Sequence, residues 1–302
     1  MSSLQSSLPA FPGRGTARAV PDRISRLGGG APAPVLMVAA MVSFQLGAAV
    51  ATSLFSQVGI PATAFLRNSV GGLLLFAIAR PSLRRPAAEL AWLLLFGVEL
   101  ALMNLAFYEA IQRIPLGVAV TVEFIGPLSV SLLGSRRLRD VLWVALAAAG
   151  IGLFAGLPTS GGLSAAGLLF AILAGAAWAG YIFTAQRVGR AWQGSQGLAA
   201  GMLASAVLLA PTGIARIGSV SLWSAAVICL LGILSAALPF SLEMSALRRL
   251  TARSYGVLAS LEPAIATVVG VIALGQAPHA SEAVATLLVV TASVGATVER
   301  AA

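Results

Sequence analysis

Phe107-Tyr-Glu-Ala-Ile-Gln-Arg-Ile-Pro-Leu-Gly-Val-Ala-Val-Thr-Val-Glu-Phe-Ile-Gly-Pro-Leu128 carries the pattern that decides the fold. One apolar run closes near Tyr108, a short polar turn follows at Gln112-Arg113, and Pro115 opens a second run. That second run extends to Gly134, enough for a helix to cross a hydrocarbon layer of about 30 Å. It is continuously apolar and does not alternate, so it reads as a membrane helix and not as a barrel strand. A single carboxylate, Glu123, stands inside it, four residues before Pro127. An ionisable group at bilayer depth costs about 2.5–3.5 kcal/mol or more, so it faces a protein interior or a wet cavity.

The same pattern recurs along the chain. Ten apolar runs fall at about 33–54, 60–79, 87–108, 115–134, 140–157, 164–186, 196–215, 221–246, 254–275 and 281–298. Short joints rich in proline and glycine separate them. Of 302 residues 58% are hydrophobic and 10% charged, against roughly 25% charged in soluble domains; mean hydropathy is +0.94. The fold class is therefore all-α integral membrane, with ten transmembrane helices. A disordered chain, a collagen and a disulfide scaffold are excluded. Residues 1–32, rich in Ser, Pro, Gly and Arg, lack the apolar core of a signal peptide and read as a disordered cytoplasmic tail.

Cys229 is the one cysteine and His279 the one histidine. A thiolate metal cage and a paired-histidine zinc site are thereby ruled out within the chain. No cofactor and no metal are expected. G-x-S-x-G and H-E-x-x-H are missing, which leaves no enzyme reading, and no Walker A motif is present for ATP. His279 falls in the last external joint as a solvated residue.

The net charge is +9 and every basic residue is arginine. On a soluble chain that excess suggests nucleic acid. Here the arginines cluster in alternate joints: sixteen of nineteen lie on the side of the N-terminal tail, while Arg113 and Arg216 lie on the other and Arg67 lies within a span. That split places both termini of a multi-pass membrane protein in the cytoplasm, in contact with lipid and not nucleic acid.

Ala110-Ile-Gln-Arg113-Ile aligns with Ala246-Leu-Arg-Arg249-Leu at an offset of 136, which also matches Pro127 to Pro263 and Gly134 to Gly270. A rival offset of 139 matches Gly117-Val118 to Gly256-Val257 and Glu123 to Glu262; 136 is preferred because its matches span more sequence. Either offset divides the chain into halves 33–158 and 163–298 of five helices each. Five is odd, so the halves are inverted, a transporter architecture with its substrate site where the repeats meet near the midplane.

The intramembrane polar residues are the candidate site. Glu123 and Glu262 approach mid-depth from opposite faces, and each precedes a proline, Pro127 or Pro263. Proline removes one helix donor, frees a carbonyl for an ammonium or ion, and with Gly126 supplies a bend for gating. Glu123 and Glu262 are expected to bind an amino group or exchange a proton, or else to serve as structural pairs. Arg67, the intramembrane cation, can clamp a carboxylate or pair with Glu99 or Glu123; the ion pair is the favoured reading. Asn104 and Tyr108 share a face of the third span as cavity lining or as interhelical hydrogen-bond donors. Glu99 points elsewhere, and Glu243 lies nearer the cytoplasmic end. Trp178 and Tyr181 share a face, with core packing or an interfacial belt favoured over a cavity wall. Gly152-xxx-Gly156 allows close helix contact, within the chain or in a homodimer.

The quoted run resembles the threonine and homoserine exporter branch of the drug/metabolite transporter superfamily, whose domain is called EamA. So do Ala237-Leu-Pro-Phe-Ser-Leu-Glu-Met244 with Ser260-Leu-Glu-Pro-Ala264, Phe65-Leu-Arg-Asn68 with Ala79-Arg-Pro81, and Ala177-Trp-Ala-Gly-Tyr-Ile182 with Gln186-Arg-Val-Gly189. The matches cover about residues 35–298. The resemblance implies ten helices in two EamA repeats, an inner-membrane location, and export of amino acids or related metabolites. Leu274-Gly275-Gln276 departs from the family's common Leu-Gly-Glu. The expected function is alternating-access export of a threonine- or homoserine-like amino acid, with proton coupling through Glu123 or Glu262. Multidrug or other metabolite export is the alternative, and a non-transporting receptor or assembly subunit is the alternative class.

Overall fold

The computed structural model describes residues 31–132, 138–155, 163–192, 195–247, 249–250 and 252–300. Nearly all of the tail and the joint at 133–137 lie outside them, as does Gly156. The helices are α1 (Ala33–Phe55), α2 (Ile60–Ala79), α3 (Ala87–Ile111), α4 (Leu116–Glu123), α5 (Ile125–Leu132), α6 (Leu138–Ala155), α7 (Ala165–Ala191), α8 (Gln196–Ile214), α9 (Leu222–Gly232), α10 (Leu238–Leu247), α11 (Ala252–Ala259), α12 (Glu262–Leu274) and α13 (Ala280–Arg300). Among the described residues there is no strand, and seven helical segments are long and apolar enough to cross a membrane; 116–130 and 280–295 are shorter apolar helices.

Local chemistry explains the ends. Pro34 and Pro61 occupy the first turns of α1 and α2, where no N–H partner is needed. Ser164 and Ser221 cap α7 and α9 by accepting from Gly167 N and Ser224 N. α12 ends at Gly275 with φ of 64°, a left-handed conformation that glycine adopts without cost.

The spans expected at 115–134 and 254–275 each carry a short interruption, at Phe124 and at Ser260–Leu261, while the chain keeps its helical course. α4 stops at Glu123 and α11 at Ala259, the residues four before Pro127 and Pro263. The carbonyl at that position has lost its N–H partner, so the helix yields there. Glu262 thus opens α12, directly after the interruption. The span at 221–246 widens into a π-helical stretch over 233–237, just before Pro239. Helix boundaries also recur at a fixed spacing. Phe55 and Ala191 end α1 and α7, Ile60 and Gln196 begin α2 and α8, Ile111 and Leu247 end α3 and α10, and α4 and α11 share both ends, all 136 residues apart.

α2 packs along α8, α3 along α7, α6 along α13, α4 along α12, and α1 along α9 and α10. Small residues permit these approaches: a side chain at Gly72 would meet Leu203, and one at Gly47 would meet Ser235. The two ends of the bundle differ. At the end holding Phe55 and Leu116, the residues Leu54, Val58, Ile111, Ile114, Leu116 and Val118 belong to one buried apolar cluster. Ser224 Oγ donates to Gln57 Oε1 at 2.7 Å there, and Leu116 N donates to Gln276 Oε1 at 3.0 Å. At the other end, the helices part around a cavity.

Candidate functional site

The cavity has a volume of about 450 Å³, within the usual range for small-molecule sites. It reaches from Arg67, Asn104 and Glu123 in the interior to Met37, Gln186 and Glu243 towards the end that holds the start of α1. Its apolar wall is rich in rings, including Phe44, Phe107, Phe124 and Phe240. Trp178 sits edge-on to Phe124 with centroids 5.9 Å apart, and Tyr181 stacks on Phe96 at 5.0 Å.

Arg67 forms one pole. Its Nε donates to Ser235 Oγ at 2.8 Å, and its two terminal nitrogens donate to Asn68 Oδ1 at 3.0 Å, Asn104 Oδ1 at 2.6 Å and Ser235 O at 2.9 Å. Four of five guanidinium N–H groups are thereby engaged. The Ser235 carbonyl is four residues before Pro239, so it lacks its α-helical donor and is free to accept from Arg67. Asn68 Nδ2 donates to Ser205 Oγ at 2.7 Å, and Asn104 Nδ2 to Leu100 O at 2.7 Å, which fixes both amides facing the cation. The expected pairing of Arg67 with Glu99 or Glu123 is not found. Among the described residues the ion pairs are Arg85–Glu89 and Arg113–Glu109, each one helical turn apart in sequence. Neutral oxygens hold the guanidinium because Asn68, Asn104 and Ser235 surround it.

Carboxylates form the other pole. Glu123 is buried and lines the cavity with no hydrogen-bond or ion-pair partner among the described residues. Glu262 Oε1 accepts from Gln45 Nε2 at 3.3 Å, and Glu243 Oε1 accepts from the Tyr255 hydroxyl at 2.7 Å. Both carboxylates line the same cavity. The freed carbonyl of Glu123 faces α7, where a Cβ on Gly175 would come within 2.6 Å of it. It is not offered to the cavity, a correction to that part of the proline reading.

Of the residues singled out from sequence, the cavity brings together Arg67, Asn104, Tyr108, Glu123, Pro127, Trp178, Tyr181, Glu243 and Glu262. Trp178 and Tyr181 thus stand at its wall, where packing or an interfacial belt was favoured. Glu99 lies apart: it accepts a hydrogen bond from Thr184 Oγ1 on α7 and abuts Gly180. Gly126 is buried with its Cα against the Gly175 backbone, and Pro263 is buried in the first turn of α12. Sequence reading passed over Gln45, Asn68, Ser235 and Tyr255. Asn68 stands beside Arg67 within a quoted motif, and Gln45 is the one amide in the first apolar run, so both carried a usable signal. Ser235 carried none, because small hydroxyls are common in membrane helices.

Residues 165–298 match the EamA-like transporter family. The chain is 44% identical over 270 residues to the threonine/homoserine exporter RhtA of Escherichia coli (strain K12), covering 87% of this chain and 90% of that one. It is 43% identical over 272 residues to the threonine/homoserine exporter RhtA of Salmonella typhimurium (strain LT2), covering 87% and 91%. A solved crystal structure superposes with a TM-score of 0.61 at 25% identity, over 88% of this chain and 96% of that chain. This chain is a membrane protein that belongs to the EamA-like transporter family.

Proposed function

We propose that the protein exports small hydroxylated amino acids, threonine- or homoserine-like, from the cell by alternating access. The observation that carries this reading is the two-pole cavity. One pole is a guanidinium with an N–H to spare, and the other is a set of carboxylates without cationic partners among the described residues. An amino-acid zwitterion complements both: its carboxylate suits Arg67, and its ammonium suits Glu123 or Glu262. The relatives named as threonine/homoserine exporters support the substrate class. One of the two carboxylates exchanges the proton that couples transport, while Pro127, Gly126 and Pro263 mark where the helices flex.

In this reading the chain crosses the inner membrane ten times, in inverted halves 33–158 and 163–298. The spacing of 136 residues between matching helix ends supports it. Both termini face the cytoplasm, supported by the sixteen-to-two arginine split, and the cavity then opens inward. Single cysteines at Gln57 and His279, in a Cys229→Ser background, should react with an impermeant thiol reagent from outside the cell. Reaction only after lysis would reverse the orientation. The volume of about 450 Å³ exceeds one small amino acid and favours a second reading, export of bulkier metabolites.

The test is efflux from proteoliposomes loaded with a labelled panel of amino acids and one bulky organic cation. Threonine and homoserine should leave fastest. Equal or faster loss of the cation, with no amino-acid efflux, would replace the proposal by the second reading.

A further inference from the structure

Tyr108 lines the cavity and is 2% exposed. Its hydroxyl is sealed from solvent and has no hydrogen-bond partner among the described residues. The ring is held by Phe55 and Phe107, with centroids at 5.3 and 6.2 Å. A buried hydroxyl left unpaired costs about 1–3 kcal/mol. Native proteins satisfy most such groups, so an orphan beside a ligand cavity marks a place where a ligand supplies the partner. Asn104, which grips Arg67, lies one turn away on the same face of α3, about 6 Å along the helix. A substrate carboxylate at Arg67 would therefore place the substrate's side chain in the neighbourhood of Tyr108. The Oε1 atom of Gln45, across the cavity on α1, is likewise buried and unpaired.

We infer that Tyr108 reads the side-chain hydroxyl of the exported amino acid, with the contact forming as the cavity closes around its cargo. This rests on the amino-acid export reading above and adds how the cargo is chosen. A phenol both donates and accepts, so it can meet a hydroxyl carried on either carbon of a short side chain. An apolar pocket cannot reject an isostere strongly. A polar group built to bond a hydroxyl can, because a cargo lacking the hydroxyl leaves it unpaired.

Removing the side-chain hydroxyl from threonine or from homoserine yields the same molecule, 2-aminobutyrate. Efflux of all three from proteoliposomes holding the full chain gives a selectivity ratio independent of protein yield. In the wild type, threonine and homoserine should leave at least about fivefold faster than 2-aminobutyrate, the lower bound for one such hydrogen bond. In Y108F, which keeps the ring, the ratio should fall towards one. A wild-type ratio near one overturns the inference even if Y108F fails to fold. A wild-type preference that persists in Y108F overturns it as well. Efflux of none of the three, from liposomes shown to contain folded protein, overturns the export reading itself.

Discussion

The two poles of the cavity handle buried charge in opposite ways. Arg67 is wrapped by Asn68, Asn104 and Ser235, and these in turn are fixed by Ser205, Leu100 and Leu231. Glu123, at a comparable burial, has no polar partner among the described residues. A cation wrapped by neutral dipoles, with one N–H to spare for a carboxylate, is anchored in the framework. A carboxylate left bare in the interior is expensive, and the proposed function gives it a partner that comes and goes. On the export reading proposed above, substitution at Arg67 should show first in stability, and substitution at Glu123 first in transport.

The largest expected effect is therefore on folding. Arg67→Met removes the cation and takes the donor from four acceptor atoms in the interior, at about 1–3 kcal/mol for each one left unpaired. Little folded protein should reach the membrane, and what does should melt far below wild type in detergent. A near-normal melting temperature would erase the distinction between the poles. Gly126→Ala comes next. Its Cβ would lie 2.0 Å from the Gly175 carbonyl oxygen, and α5 and α7 would have to part, at about 1–3 kcal/mol. An unchanged melting temperature would mean that α5 and α7 can part at this crossing without cost. The smallest effect concerns the sealed end. Gln276→Ala frees the Leu116 N–H at the start of α4, for about 0.5–2 kcal/mol by analogy with lost helix caps. Gln276→Glu keeps an acceptor and should restore the melting temperature; failure of the rescue would show that the hydrogen bond is not what matters there.

Much of this was legible in the sequence because bilayer chemistry leaves few options. Continuous apolar runs can only be helices, and the helix limits of α2 were read without error from Ile60 and Ala79. The intramembrane carboxylates stood out because each is costly where it sits. Three-dimensional pairing was less legible. Arg67 was expected to seek an acid, since Coulomb attraction is the simplest rule for a buried cation. Only the fold reveals that Pro239 frees the Ser235 carbonyl beside it. Glu99 looked like Glu123 by depth, yet it turns to Thr184 on another face of α3. The breaks at Glu123 and Ala259 could have been placed, since both lie four residues before a quoted proline. Pro127 and Pro263 were read as local bends, and the helices do resume after one or two residues.

Glu123→Gln tests the central claim most directly, because it keeps the side chain's volume and removes the charge. The measurement is threonine efflux per folded molecule from proteoliposomes, at pH values from 6 to 8. A carboxylate that receives the ammonium or carries the proton predicts at least about a tenfold fall, equivalent to about 1.4 kcal/mol. Folded yield should be preserved, since a neutral amide is cheaper to bury. Wild-type efflux per molecule at every pH would contradict the account, remove Glu123 from the mechanism, and leave Glu262 as the next carboxylate to test.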